Sequence, residues 1–418
     1  MTSQEQHMMR GNVAQIPLEA IDVSDATLYQ KDSWRPYFAR LRAEDPVHWS
    51  ENDVFGGFWS VTRFEDIIAV DGNHEAFSSV PAITIGDYGD DLPVTQFIAM
   101  DPPIHDVQRA AVQGVVAPRN LAQLEGLIRQ RVGDILDGLP LGETFNWVEK
   151  VSINLTTQML ATIFDFPFAD RHKLPYWSDM ATSLPDATGS DGNVDARTVA
   201  LQECLAYFTE LWHQRKNNPA DTMDLISLLA TNPATRNMVD DPLEYLGNLI
   251  LLIVGGNDTT RKSITARVLA LHENPDQFTK LRSNLNLIPS MVSEVIRWQT
   301  PLMHMRRIAT RDIELGGRTI RKGDKVVMWY LSGNHDETAI NQPNEFIIDR
   351  TNPRYHLSFG FGIHRCMGNR LGEMQLRVLW EEILKRFSKV EVIGEPERVL
   401  SNFVRGYSAL PVRLHGLS

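Results

Sequence analysis

Over the first hundred residues the apolar positions change period twice. Trp34, Tyr37, Phe38 and Leu41 recur at the three-and-four spacing of one helix face, and Val47-His48-Trp49 and Phe58-Trp59-Ser60-Val61 then flank a glycine-containing turn. This predicts a helix followed by a hairpin. Thr62 and Glu65 have the spacing of a capping box that opens a short helix through Ile67 and Ile68. From Ser78 to Pro103 the periodicity weakens, and a loop of that length in a compact domain is usually functional. Helical patterns then dominate from His105 to Lys216, with breaks around Pro140 and from Pro185 to Asp195.

Asp241-Pro242-Leu243-Glu244 combines a cap, a proline at the first turn and an acid at the capping-box position, and the next stop is Asn274-Pro275. A helix of about thirty residues is roughly 45–50 Å long, enough to cross the domain, so it must run through the core. Beyond it, Ile313-Glu314-Leu315 and Arg318-Thr319-Ile320 flank Gly316-Gly317 as a hairpin, and Val326 to Leu331 reads as a buried strand. The expected fold class is therefore mainly α with small β-sheets (α+β), the sheets lying at both ends of a helical body.

Composition narrows the function. With 418 residues, 43% of them hydrophobic, the chain can bury one large core. No long apolar run and no basic-then-apolar start occurs in the first forty residues, so a cytoplasmic protein without signal peptide or membrane anchor is expected. A net charge of −12 argues against nucleic acid as a partner. There are two cysteines and no Cys-x-x-Cys spacing, which disfavours zinc sites and disulfides. Cys204 lies in a core-like helical pattern with Leu201, Leu205, Phe208 and Leu211.

Cys366 stands apart. It sits in Phe359-Gly360-Phe361-Gly362-Ile363-His364-Arg365-Cys366-Met367-Gly368, a glycine-punctuated loop at the threshold of an expected helix. A helix N-terminus carries partial positive charge and unpaired N–H groups, which push a sulfur there toward thiolate. Gly360, Gly362 and Gly368 permit positive φ and close backbone approach to a flat cofactor. A lone cysteine is ordinarily a small buried hydrophobe; the glycines, Phe359 and His364 turn the reading toward a haem-iron ligand.

The pattern Phe-x-x-Gly-x-His-x-Cys-x-Gly resembles the haem-binding loop of the cytochrome P-450 superfamily, in which a cysteine thiolate donates electron density to iron. Three further motifs fit the resemblance. Gly255-Gly256-Asn257-Asp258-Thr259-Thr260 is similar to the family's acid-alcohol motif, although two glycines inside a helix cost about 1 kcal/mol each and by themselves mark a kinked core helix. Glu294-Val295-Ile296-Arg297 is similar to its Glu-x-x-Arg pair, which alone would read as a surface ion pair. Asp101-Pro102-Pro103-Ile104-His105-Asp106-Val107-Gln108-Arg109 is similar to the segment leading into its third helix.

The resemblance implies one haem domain over residues 35–418 after an N-terminal extension, 1–34, with haem b held between the long distal helix and the Cys366 loop-helix. By analogy Cys366 is the iron ligand, Gly255 and Gly256 leave room for O2, and Asp258 and Thr259 relay protons. Phe359, Gly360 and Gly368 belong to the cofactor loop. Glu294, Arg297 and Arg350 brace it. The two propionates need cationic or N–H donors, and His105, Arg109, Arg307 and His364 are the matching positions, with His356 a weaker candidate. His364 stands where many relatives carry arginine, and Gly255 where alanine is commoner. A substrate pocket is expected from Phe97, Ile98, Leu252, Val254, Leu302, Met303, Phe403 and Val404, all apolar.

The wording of the distal and cysteine motifs looks closest to the soluble bacterial branch that hydroxylates alkanes and fatty acids at the terminal carbon. That implies a monooxygenase of a linear hydrophobic substrate, with O2 and electrons from an iron–sulfur ferredoxin and its separate reductase. Only about fifty residues follow Cys366, so no bound flavin is expected. Arg365 and Arg370 are the nearest candidates for a ferredoxin-docking patch. The alternatives are a monooxygenase of another hydrophobic substrate (terpenoid or steroid), a peroxide-driven enzyme, whose relatives lack the acid-alcohol pair, and a non-catalytic haem-based gas sensor or carrier, which would need no proton relay.

Overall fold

In the computed structural model, which describes residues 13–87, 93–182, 194–217 and 224–417, the expected long helix runs without interruption from Pro242 to Glu273, 32 residues. Its start is built as the sequence dictates: Pro242 occupies the first turn, and the Asp241 carboxylate accepts from the N–H groups of Leu243 and Glu244. Leu246, Leu249, Ile253, Ile264, Val268 and Leu271 are buried around its circumference, as befits a helix enclosed on all sides. Helices Asn154–Phe164, Lys173–Thr182, Ile288–Gln299 and Asn369–Arg386 pack against it. Together they form the main core, with Trp147, Trp177, Trp212 and Trp380 among its buried side chains.

The β content forms small separate sheets. One sheet has five strands in the order Val47–Ser50, Phe58–Val61, Lys325–Met328, Met305–Ala309, Phe77–Ser78. The first two are the expected hairpin, paired Val47 to Val61; Phe58–Val61 runs parallel to Lys325–Met328, Trp59 opposite Val326. Thr144–Asn146, Pro411–Gly416 and Phe387–Val392 make a second sheet. Ile313–Leu315 and Arg318–Ile320 pair across Gly316 and Gly317, both at positive φ.

Several local expectations are corrected. Thr62 and Glu65 do not form a capping box: the helix Phe64–Asp71 starts one residue later, the Thr62 hydroxyl donates to the Pro46 carbonyl, and Asp336 accepts the Phe64 N–H at 2.8 Å. A carboxylate from 272 residues away outcompetes the local cap. The strand expected over Val326 to Leu331 ends at Met328, and Tyr330–Gly333 forms a helical turn. Ile21, Val23, Leu28 and Tyr29, from the segment before residue 35, are buried with Phe58, Val327 and Trp329. The break expected from Pro185 to Asp195 lies mostly outside the described residues; helix Val194–Asn217 resumes beyond it. Among the described residues no helix is long and apolar enough to cross a membrane.

Candidate active site

The cysteine loop is shaped by its own backbone and by the end of a distant helix. Gly360 and Gly362 have φ of +66° and +67°, where a side chain would be strained. The backbone at Gly362 also approaches another part of the chain closely: a Cβ there would fall against the Asp71 carbonyl oxygen. Gly368, expected to need positive φ, has φ −85° and serves as the N-cap of helix Asn369–Arg386. The Cys366 N–H donates to the Phe359 carbonyl at 2.7 Å, closing the loop.

Cys366 is reached by solvent, and the groups packed around its thiol raise its pKa through desolvation. The N–H groups of Gly368 and Asn369, together with Arg109 and Arg365, act in the opposite direction but are outweighed. A coordinated metal ion would deprotonate the thiol outright. Cys204 is buried in the main core, and burial pushes its pKa strongly up.

On the long helix the two glycines differ. Gly255 faces open space, with nothing within 4 Å of a Cβ built there, whereas a Cβ on Gly256 would meet Leu160 at 2.8 Å. The Thr259 hydroxyl donates to the Gly255 carbonyl at 3.3 Å, so the helix does not open. Asp258 points elsewhere, as neighbours about 100° apart on a helix must. It is 1% exposed, pairs with Arg261 at 2.7 Å and accepts from Asn257 at 3.3 Å; Arg261 also holds Asp179. Burial raises the Asp258 pKa, against the lowering pull of Arg261 and Lys262.

Glu294, Arg297 and Arg350 come together in the interior. Arg297 donates through Nε and Nη2 to the two oxygens of Glu294, each at 2.8 Å, and Arg350 Nε adds a third bond at 2.9 Å. Arg297 also donates to the carbonyls of Asn334 and Pro343. Asn334, which sequence reasoning missed, carries this cluster to the cysteine loop: its side chain accepts from Leu357 N–H at 2.6 Å and donates to the Ser358 hydroxyl at 2.8 Å.

His105, Arg109 and His364 converge beside the loop. The two imidazoles meet edge to face, 4.3 Å between centroids. His105 Nδ1 is 2.8 Å from Asp106, and His364 Nε2 2.8 Å from the Ser79 hydroxyl. His105 Nε2 and His364 Nδ1 are buried without a partner, and burial lowers both pKa values. Arg109 donates to the Arg365 carbonyl. His364 Nδ1 can donate when the Ser79 hydroxyl donates to its Nε2, and His105 Nε2 can donate when its ring is protonated, so the residues present fit a haem with its propionates. Arg307 is directed differently: its Nη2 donates to Asp71 at 2.7 Å and its Nη1 to the Arg306 carbonyl. His356 is buried, with its pKa lowered to about 3 by burial.

Of the apolar candidates, Leu302 bridges Val404, and the Met303 N–H donates to Phe403 O at 2.9 Å. Leu302, Phe403, Ile98 and Val254 are half-buried. Phe97, Leu252 and Val404 are buried, and Met303 is wholly buried with Ile85 and Trp329 in a separate core cluster. Met303 is thus core side chain, because alternation along an extended segment turns it away from Leu302.

A helical body crossed by one long helix, with a cysteine loop at the start of another and orphaned imidazoles beside it, defines a haem-thiolate protein. A model of the cytochrome P-450 family matches residues 132–406, and the chain belongs to that family. Linalool 8-monooxygenase of Pseudomonas putida is 34% identical, covering 95% of this chain and 99% of that one. The methyl-branched lipid omega-hydroxylase of Mycobacterium tuberculosis is 32% identical over 95% of this chain and 96% of its own. Among solved structures, CYP153D17 from Sphingomonas sp. superimposes with TM-score 0.89 at 45% identity, covering 94% of this chain and 98% of that chain. The protein is a cytochrome P-450 monooxygenase with a cysteine-ligated haem b, acting on a hydrophobic substrate with O2 and a redox partner.

Proposed function

We propose that this enzyme hydroxylates the chain end of linear hydrophobic molecules, alkanes or fatty acids, with Cys366 as iron ligand and electrons from an iron–sulfur ferredoxin. The observation that carries the substrate reading is the kinship over nearly the whole chain with an omega-hydroxylase of methyl-branched lipids. Apolar, half-buried Ile98, Val254, Leu302 and Phe403 accord with it.

Haem bound here supplies O2 activation, with electron density from the cysteine sulfur. The chain supplies the rest. His105, Arg109 and His364 would hold the propionates, and the Glu294–Arg297–Arg350 cluster fixes the loop through Asn334. Gly255 leaves the space beside Thr259 open. Asp258 and Thr259 are the acid and the alcohol of the proposed proton relay; burial raises the Asp258 pKa while Arg261 holds its carboxylate. Terminal attack works against the weaker methylene C–H bonds, so the pocket must position the chain end, a gain the apolar walls supply by burying each methylene at about 0.8 kcal/mol. Arg365 and Arg370, exposed on the cysteine side, are the ferredoxin-docking cations.

The test is product analysis with a reconstituted ferredoxin system across a series of alkanes and fatty acids. Affinity should rise with chain length until the apolar pocket is filled, and primary alcohols or ω-hydroxy acids should dominate. Mainly internal hydroxylation contradicts the reading. The kinship with linalool 8-monooxygenase supports a second one, a terpenoid substrate; tighter binding and turnover of branched terpenoids than of any linear chain would favour it.

A further inference from the structure

Asp71 belongs to no motif, yet three separate parts of the chain close on it. It ends the helix Phe64–Asp71 and is 2% exposed. One carboxylate oxygen accepts from Arg307 Nη2 at 2.7 Å. The other accepts from the Tyr330 hydroxyl at 2.7 Å and from the Phe361 N–H, inside the cysteine loop, at 2.8 Å. The loop backbone is pressed onto the same helix end, since a Cβ at Gly362 would fall 2.4 Å from Asp71 O and one at Gly360 3.4 Å from its Oδ2.

From this geometry we infer that Asp71 is a positioning residue for the haem site, seating the cysteine loop through Phe361 and fixing both the direction and the effective charge of Arg307. A buried carboxylate must be paired and hydrogen-bonded, and here every partner is a group whose placement matters to the site. Arg307 without Asp71 would be an uncancelled buried cation; with it, the pair is close to neutral. The charge half of the inference rests on the family resemblance that sets Arg307 near the propionates, even though its guanidinium donates to Asp71 and the Arg306 carbonyl here; the loop half does not.

The test uses the haem-loaded protein, with Asp71→Asn and Asp71→Ala compared by haem reduction potential and by amide hydrogen exchange across residues 359–366. Asp71→Asn keeps an oxygen for Phe361 and Tyr330 but removes the charge. It should move the potential to a more positive value, because the freed Arg307 cation favours the reduced state, and leave loop exchange near wild type. Asp71→Ala should in addition speed exchange in the loop roughly tenfold or more, as local opening becomes easier. If Asp71→Ala does not take up haem, Tyr330→Phe provides the loop measurement, with faster exchange and no change in potential. Loop exchange unchanged in Asp71→Ala overturns the inference. Faster exchange with an unmoved potential supports the hold on the loop and removes Arg307 from the propionate reading, so the two failures are distinguishable.

Discussion

Glu294 and Asp258 are both carboxylates sealed inside the main body of the molecule, at 0% and 1% exposure, but they are treated in opposite ways. Glu294 has its oxygens filled by two arginines and by the Ile347 N–H, with four bonds between 2.8 and 2.9 Å. Asp258 has a single ion pair to an arginine that it shares with Asp179, a long bond from Asn257, and a pKa raised by burial. A fully satisfied buried charge is a brace; an incompletely compensated one is ready to change protonation. The first lies on the path to the cysteine loop, the second on the distal helix.

The most severe way to break this contrast is Arg297→Ala. It strips Glu294 of its bidentate partner and should cost about 3–5 kcal/mol, seen as a large loss of thermal stability and of haem retention. Asp258→Asn should do the reverse, leaving the fold intact while lowering turnover roughly a hundredfold or more at unchanged substrate affinity. Equal effects on stability from both variants would erase the distinction.

The contrast is sharpened by pH. A carboxylate with a raised native pKa binds more protons folded than unfolded between the ordinary and the raised value, so its contribution falls as pH rises through that window. Asp258→Asn should therefore match wild-type stability at pH below the ordinary carboxylate range and exceed it above the window, as chemical denaturation across pH would show. Thr259→Ala should have a milder outcome: reductant is still consumed, but part of it is diverted to hydrogen peroxide, measured as product formed per electron. The smallest effect is expected at Arg370→Glu. Reduction by the ferredoxin should slow severalfold, more at low ionic strength than at high, with substrate affinity unchanged.

What sequence could show follows from the range of the interactions. The long helix was legible from Asp241-Pro242 to Asn274-Pro275 because its start and stop are local chemistry. The hairpin Val47 to Val61 was legible for the same reason. Thr62-x-x-Glu65 misled because Asp336, far along the chain, took the helix start. Met303 could not be told from Leu302 by hydrophobicity, since only the pairing with 403–404 decides which way each faces. Asn334 and Asp71 carry no local signature, because their partners are brought to them by the fold. The helix-start argument for Cys366 gave the right geometry, since the loop leads into the N-cap of Asn369–Arg386.

The central claim is that Cys366, and not Cys204, holds the haem iron, and the absorption of the reduced protein with carbon monoxide tests it most directly. Wild type and Cys204→Ser should both show the strongly red-shifted band of thiolate-ligated haem, and Cys366→His should lose it while still binding haem. A normal thiolate band in Cys366→His, or its loss in Cys204→Ser with the fold intact, would contradict the account.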